Sequence, residues 1–304
     1  VANNAWKRMD RFKFIGLVLL PLLISLAPSP WFMLEKGNFE AAKLGTIDND
    51  RINECSGIAI SRVTKDALWL HNDSGDAPRL YLVGFNGKTR STAEIKGATA
   101  IDWEDMCSFS LDGSNWLLIG DTGDNPKNRG TRRARSKLYL VEEPSKIKKK
   151  LTLKAERVIQ FEYEDGPHDC EGIAVDTASK TILLITKSLL PGGCHVYTLP
   201  LKPKQKTAIA KKVADVPVPV VTGLDLSPDG QRLAIVTPRN GFIVNRTAGE
   251  SWSQAMAKRP GVFQPPRAPQ IEAICFGSDG QKLHIISEGM NQPIWQLVRG
   301  KPKR

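Results

Sequence analysis

The stretch EGIAVDTASKTILLITK, residues 171–187, holds two apolar runs joined by a polar turn. Each run is too short for a helix and rich in β-branched residues, which describes a pair of antiparallel strands. The arrangement recurs along the chain. First runs are SGIAIS (56–61), EDMCSFS (104–110), EGIAVD (171–176), TGLDLS (222–227) and EAICFG (272–277). Second runs are ALWLHND (67–73), WLLIGD (116–121), ILLITK (182–187), RLAIVT (232–237) and LHIISE (283–288). A third, aromatic-containing run follows each time: LYLVGF (80–85), KLYLVEE (137–143), HVYTLPL (195–201), GFIVN (241–245) and PIWQLV (293–298). The turns LDG (111–113), SPDG (227–230) and GSDG (277–280) supply tight-turn chemistry between first and second runs.

Successive first runs begin 48, 67, 51 and 50 residues apart. Three or four strands at that period are the signature of propeller blades, and a β-sandwich does not explain the repeat. The chain is therefore expected to be an all-β propeller of five blades, with six compatible because the second unit is long. The last unit lacks a fourth strand, and KLGTID (43–48) is expected to supply it and close the ring, which also removes open sheet edges. Only residues 251–259 read as helix.

Composition places no obstacle to one large core: 304 residues, 41% hydrophobic and 25% charged. The formal net charge of +11 favours anionic surfaces and polymers. Much of that charge sits in RGTRRARSK (129–137) and SKIKKK (145–150), which lack interleaved aromatics. Sequence-specific or stacking-based nucleic-acid binding is not expected. Lys7, Arg8, Arg11 and Lys13 precede the apolar run FIGLVLLPLLISLA (14–27), a pattern of export signals. Residues 1–34 are read as a signal or an uncleaved membrane anchor with a short linker, and residues 35–304 as one propeller acting as a monomer outside the cytoplasm. Of five cysteines, Cys170 and Cys194 lie on one face of the third unit, where a disulfide is geometrically allowed. Cys55, Cys107 and Cys275 read as buried thiols, and without a CxxC pair no structural zinc site is expected.

Carboxylates gather at one end of these strands. Blade geometry opens the start of the first strand and the end of the second on the same face. At the first-strand start the aligned residues are Ser56, Glu104, Glu171, Thr222 and Glu272, and two positions earlier Glu54, Asp102, Asp169, Val220 and Gln270. At the second-strand end they are Asp73, Asp121, Lys187, Pro238 and Glu288. The loops HNDSGD (71–76) and GDTGDN (120–125) each carry Asp-x-Gly-Asp. Oxygen-rich clusters of this kind suit calcium, and a bound cation relieves the mutual repulsion of the acids. The metal candidates are thus Glu54, Asp73, Asp102, Glu104, Asp121, Asp169, Glu171, Glu272 and Glu288. His168, Glu171 and Lys187 are candidates for catalysis; His71, Arg129 and Arg239 are candidates for holding a small anionic substrate. Taken singly, each acid or histidine is better explained by strand-end capping or by structure; recurrence at matching blade positions argues for a shared site.

The series ECSGIAIS, LWLHNDSGD, DWEDM, GDTGDN, LYLVEEP, EDGPHDCEGIAV, LLITKS, VTGLDLSPDG and IEAICF resembles a sparsely characterised group of exported bacterial propeller proteins over most of residues 53–290. DWEDM and GDTGDN are its most specific parts. More distantly, the first-strand glutamates are similar to those of phytase-like, SMP-30/paraoxonase-like and SdiA-regulated propellers. In the first two groups calcium in or near the channel supports hydrolysis of phosphate esters or lactones, so the likeness implies metal ligation by Glu54, Glu104, Glu171 and Glu272. Thr222 and Ser56 depart from that pattern, and Lys187 would compete with a cation. Two functions follow as expectations: a calcium-dependent hydrolase of phosphoesters or lactones, or a non-catalytic module binding an extracytoplasmic polymer or partner, with a structural metal. No GxSxG nucleophile motif is present.

Overall fold

A computed structural model describes residues 39–125, 132–190 and 192–300. The described residues hold twenty strands and one short helix. β2 (Cys55–Ile60), β3 (Ala67–Asn72), β4 (Arg79–Gly84) and β5 (Thr89–Lys96) form the first antiparallel meander. β6 (Trp103–Leu111), β7 (Ser114–Asp121), β8 (Ser136–Glu142) and β9 (Lys150–Tyr163) form the second. β10 (Cys170–Asp176), β11 (Thr181–Thr186), β12 (Cys194–Pro200) and β13 (Thr207–Val216) make the third. The fourth is β14 (Gly223–Leu226), β15 (Arg232–Val236), β16 (Gly241–Asn245) and β17 (Gly261–Phe263).

The fifth meander has β18 (Ile271–Phe276), β19 (Lys282–Ser287) and β20 (Pro293–Arg299), and its outer strand is β1 (Phe39–Thr46), the first of the described strands. The closing strand thus runs four residues further toward the N-terminus than KLGTID suggests. The innermost strands β2, β6, β10, β14 and β18 neighbour one another in that order, and β18 returns to β2. The architecture is an all-β propeller.

Local sequence explains the elements. The inner strands β2, β10, β14 and β18 are buried at every position, and β6 at all but its last two, as their apolar runs require. The outer strands β5 and β9 alternate between buried or half-buried and exposed residues, the period-2 pattern of a sheet with one wet face. Asp112 and Gly113, both at positive φ (52° and 83°), make a two-residue hairpin turn between Leu111 and Ser114. Five apolar clusters fill the five spaces between neighbouring meanders. The second unit is long partly because β9 has 14 residues. Its first half runs parallel to β5 and its end parallel to β13, so one strand covers the outer edges of the first and third meanders. The helix α1 (Trp252–Met256) is shorter than the 251–259 expected and starts on a Ser251–Gln254 capping box.

All five cysteines are free and buried. Cys170 and Cys194 belong to different apolar clusters, on opposite faces of the third sheet, which rules out the disulfide between them. No helix among the described residues is long and apolar enough to cross a membrane, and the apolar run 14–27 lies outside those residues.

Candidate functional site

The carboxylates converge because the inner strands do not start regularly. In the first, third and fifth meanders the first strand carries a one-residue bulge: Cys55 and Gly57 face Asn72 and His71, Cys170 and Gly172 face Thr186 and Ile185, and Ile271 and Ala273 face Ser287 and Ile286. The extra residues are Ser56, Glu171 and Glu272. The second meander has the same irregularity between Trp103 and Met106, around Glu104. A bulge leaves its extra residue outside the pairing and re-aims its side chain. Four such residues, one from each of four meanders, therefore turn into one pocket of about 120 Å³. Asp73, Asp102, Lys187 and Glu288 also line it.

One backbone bond repeats at every corner of this pocket. Asp73 N–H donates to Glu54 O (2.8 Å), Thr122 to Asp102 (3.1 Å), Lys187 to Asp169 (2.8 Å) and Glu288 to Gln270 (3.0 Å). The register corrects one residue assignment. Thr122, not Asp121, is the counterpart of Asp73, Lys187 and Glu288. Asp121 lies one residue earlier on the strand, fully buried, and pairs with the Arg133 guanidinium at 2.8 Å. It is not part of the pocket.

Two sets of acids approach closely. Oxygens of Asp73, Asp102 and Glu104 lie within 4.8 Å of one another, and so do those of Glu104, Asp169 and Glu171. Glu104 belongs to both. Its backbone carbonyl accepts a bond from the Ser56 hydroxyl, and Ser56 also reaches its Oε2 at 3.4 Å. Asp169 Oδ1 accepts the Asp124 N–H at 2.7 Å. Gly123 makes room: a Cβ there would overlap Glu104 Oε1 and sit 2.7 Å from Asp102 Cγ. Lys187 Nζ lies 3.0 Å from Glu171 Oε1, and Gln270 Nε2 donates to Glu272 Oε1 at 2.5 Å.

Burial dominates the electrostatics. It pushes the Glu104 carboxyl well above its ordinary range, with Glu171, Asp73, Asp169 and Asp102 adding to the rise. Burial likewise carries Glu171 up to about 8 against the pull of Lys187, and Glu272 to about 7. Asp73 rises to about 6, and Asp169 and Glu288 rise too, each chiefly through burial. Burial works to lower the Lys187 ammonium, but Glu171 and Glu272 outweigh it and hold that group above its usual value.

Other expected residues lie elsewhere. Glu54 is exposed and lines a neighbouring groove with Asn72 and Asp76. His168 turns away from the pocket: Nε2 is 3.0 Å from Asp165 Oδ1 and 2.9 Å from the Tyr197 hydroxyl. His71 is wholly buried opposite Gly57, its Nδ1 bonded to Asn72 O at 2.9 Å, and burial lowers it to about 4. A neutral core histidine is no substrate ligand. Arg239 is exposed outside the pocket, and Arg129 lies outside the described residues.

Sequence reasoning passed over Asp105. It is fully buried, with Oδ1 accepting Met106 N–H (2.8 Å) and Oδ2 accepting Ile173 N–H (2.9 Å) and Leu224 N–H (3.3 Å). It ties the second, third and fourth inner strands together beneath the mouth. The unusual run of three acids in DWEDM was the available signal.

No protein-family model matches the chain, and no curated protein matches it. Solved structures do share its shape. The allergen Mala s 1 of Malassezia sympodialis has a TM-score of 0.56 at 12% identity, covering 85% of this chain and 98% of that one. A gluconolactonase of Xanthomonas campestris has a TM-score of 0.47 at 13% identity, covering 88% and 92%. The WD40 domain of Neurospora crassa Pan2 has 0.46 at 10% identity, covering 89% and 98%. At such identities a likeness speaks for the fold alone, and by fold this chain is a β-propeller.

Proposed function

We propose that the pocket at the propeller mouth binds calcium and serves metal-assisted hydrolysis of a small anionic phosphoester or lactone. The observation that carries this reading is Glu104, shared between two acid triplets whose oxygens lie within 4.8 Å of each other. The donor set fits the ion: Asp73, Asp102, Glu104, Asp169 and Glu171 are all hard oxygen ligands, partly or wholly withdrawn from water. Calcium held there would supply Lewis acidity to a substrate oxygen and a more acidic bound water. Among the chain's own groups, Lys187 is placed to hold an anionic substituent. Glu272, whose carboxyl titrates near neutrality, is placed to take or give a proton. The basic and apolar N-terminal segment supports export or anchoring.

A second reading keeps the metal and drops the chemistry. It is favoured by the withdrawal of His168 from the pocket and by the ammonium already paired with Glu171. The propeller then binds an extracytoplasmic partner or polymer, with the ion stiffening the mouth.

The test is calcium titration of residues 35–304 with metal analysis, followed by a panel of phosphoesters and lactones. Calcium uptake that is lost in Glu104→Gln supports the site, and absence of uptake refutes it. Turnover that depends on calcium selects hydrolysis, and calcium uptake without turnover selects the binding role.

A further inference from the structure

A separate cavity of about 80 Å³ lies at the other end of the ring, where β2, β6, β10 and β14 finish. Arg62 lines it, just beyond the end of β2. Its Nη2 donates to Ser108 O at 2.8 Å, while its buried Nε has no partner. Its backbone N–H donates to Glu143 Oε2 at 2.9 Å; the other oxygen of that carboxylate accepts the Trp69 indole N–H at 2.8 Å. Glu143 is thus committed to holding the loop. A buried guanidinium N–H without an acceptor is costly, and the planar fork of the half-buried Arg62 matches two oxygens of one anion.

The rest of the wall is suited to the same ligand. The Ser110 and Ser227 hydroxyls already donate to Asn115 and Asp229, whereas Ser108 and Thr177 line the cavity with hydroxyls that bond to no described residue. Asp225 is the one acid in the wall. Its Oδ2 accepts the Phe276 N–H at 2.7 Å; burial raises its carboxyl to about 7 against the pull of Arg62, so below that pH its neutral form adds a donor. Above it, Asp105 and its three backbone bonds stand between this cavity and the acidic mouth.

We propose that this cavity is a small-oxyanion site, in which the Arg62 guanidinium grips a phosphate or carboxylate group and the Ser108 and Thr177 hydroxyls complete the donor set. The site is independent of the reading given to the mouth. It differs from the chain's general attraction for anions, because exposed lysines bind diffusely and are screened by salt.

Calorimetric titration tests it, with inorganic phosphate in one arm and acetate in the other, in chloride buffer at fixed ionic strength. Wild-type protein is expected to show saturable one-to-one binding of at least one of them, and the arm that binds identifies the group. Arg62→Gln should weaken that binding at least tenfold, Arg62→Lys should weaken it less, and the exposed-site control Lys148→Gln should leave it unchanged. Binding that is absent in wild type, or equal in wild type and Arg62→Gln, overturns the proposal. Should Arg62→Gln lose its native circular dichroism, Thr177→Val takes its place. A loss of threefold or more then supports the site, and unchanged affinity overturns it.

Discussion

Glu272→Gln gives the sharpest test of the buried mouth electrostatics. Burial carries this carboxyl from 4.5 to about 7 in the folded protein. Each unit of displacement is worth roughly 1.36 kcal/mol, so ionising Glu272 in the folded state costs roughly 3 kcal/mol more than in the unfolded chain. The sign follows from proton counting. Between pH 4.5 and about 7 the folded state holds more protons than the unfolded state, so stability falls as pH rises. Below 4.5 the group contributes nothing, and above about 7 the full penalty is present. Glutamine has the same shape, no charge, and an oxygen that keeps the bond from Gln270. Urea unfolding in EDTA is therefore expected to give equal stabilities for wild type and variant at pH 4, and a variant more stable by roughly 3 kcal/mol at pH 8. Millimolar calcium should raise the stability of both proteins at pH 8 and leave the gap in place, because the donor set of the two acid triplets is the same in each. A variant no more stable than wild type at pH 8 in EDTA would refute the argument.

Gly123→Ala should displace the Glu104 carboxylate without changing any charge, weakening calcium uptake about tenfold while far-ultraviolet circular dichroism stays native; unchanged uptake counts against the role given to Glu104. Arg133→Met removes the cation beside buried Asp121, leaving that carboxylate only the Asp102 N–H and the Tyr139 hydroxyl, and should cost about 3–5 kcal/mol in urea unfolding. Asp105→Asn replaces one acceptor with a donor facing backbone N–H groups, for a loss of about 1–3 kcal/mol; a smaller loss would show that the three bonds matter little. Because every cysteine is a buried thiol, dithiothreitol should leave the melting temperature unchanged, and intact mass under denaturing alkylation should show five modified cysteines.

The propeller was legible because its inner strands are short apolar runs repeated at near-constant spacing, and burial on both faces demands that composition. The fourth strands were harder to find. β5, β9 and β13 face water on one side, so their alternation carries lysine, arginine and glutamate and reads as loop unless the register is known. At the mouth, the motif alignment brought Glu104, Glu171 and Glu272 together, since the bulge preserves their order along the chain. It misplaced Asp121 by one residue: the similar spellings HNDSGD and GDTGDN conceal a register in which Asp121 matches Asn72. It misjudged His168 as well. Adjacency to Asp169 says nothing about direction, and Asp165 with Tyr197 draws the imidazole away. A period-2 reading has no means of seeing a bulge, and here the bulges decide which side chains meet.

The pairing of β1 with β20 also has a consequence in time. The strand Phe39–Thr46 lies before all the other described strands, while its partner Pro293–Arg299 comes after them. During synthesis from the N-terminus, β1 has nothing to pair with until nearly all of the propeller has followed it. The contact that seals the ring is therefore the most distant in sequence and the slowest to find by chain search. Until it forms, both β1 and β20 carry open edges, and a second molecule can offer either strand the same register. Dilution and late-stage chaperoning should thus raise the yield of closed rings, and concentrated refolding should favour molecules joined through exchanged first strands.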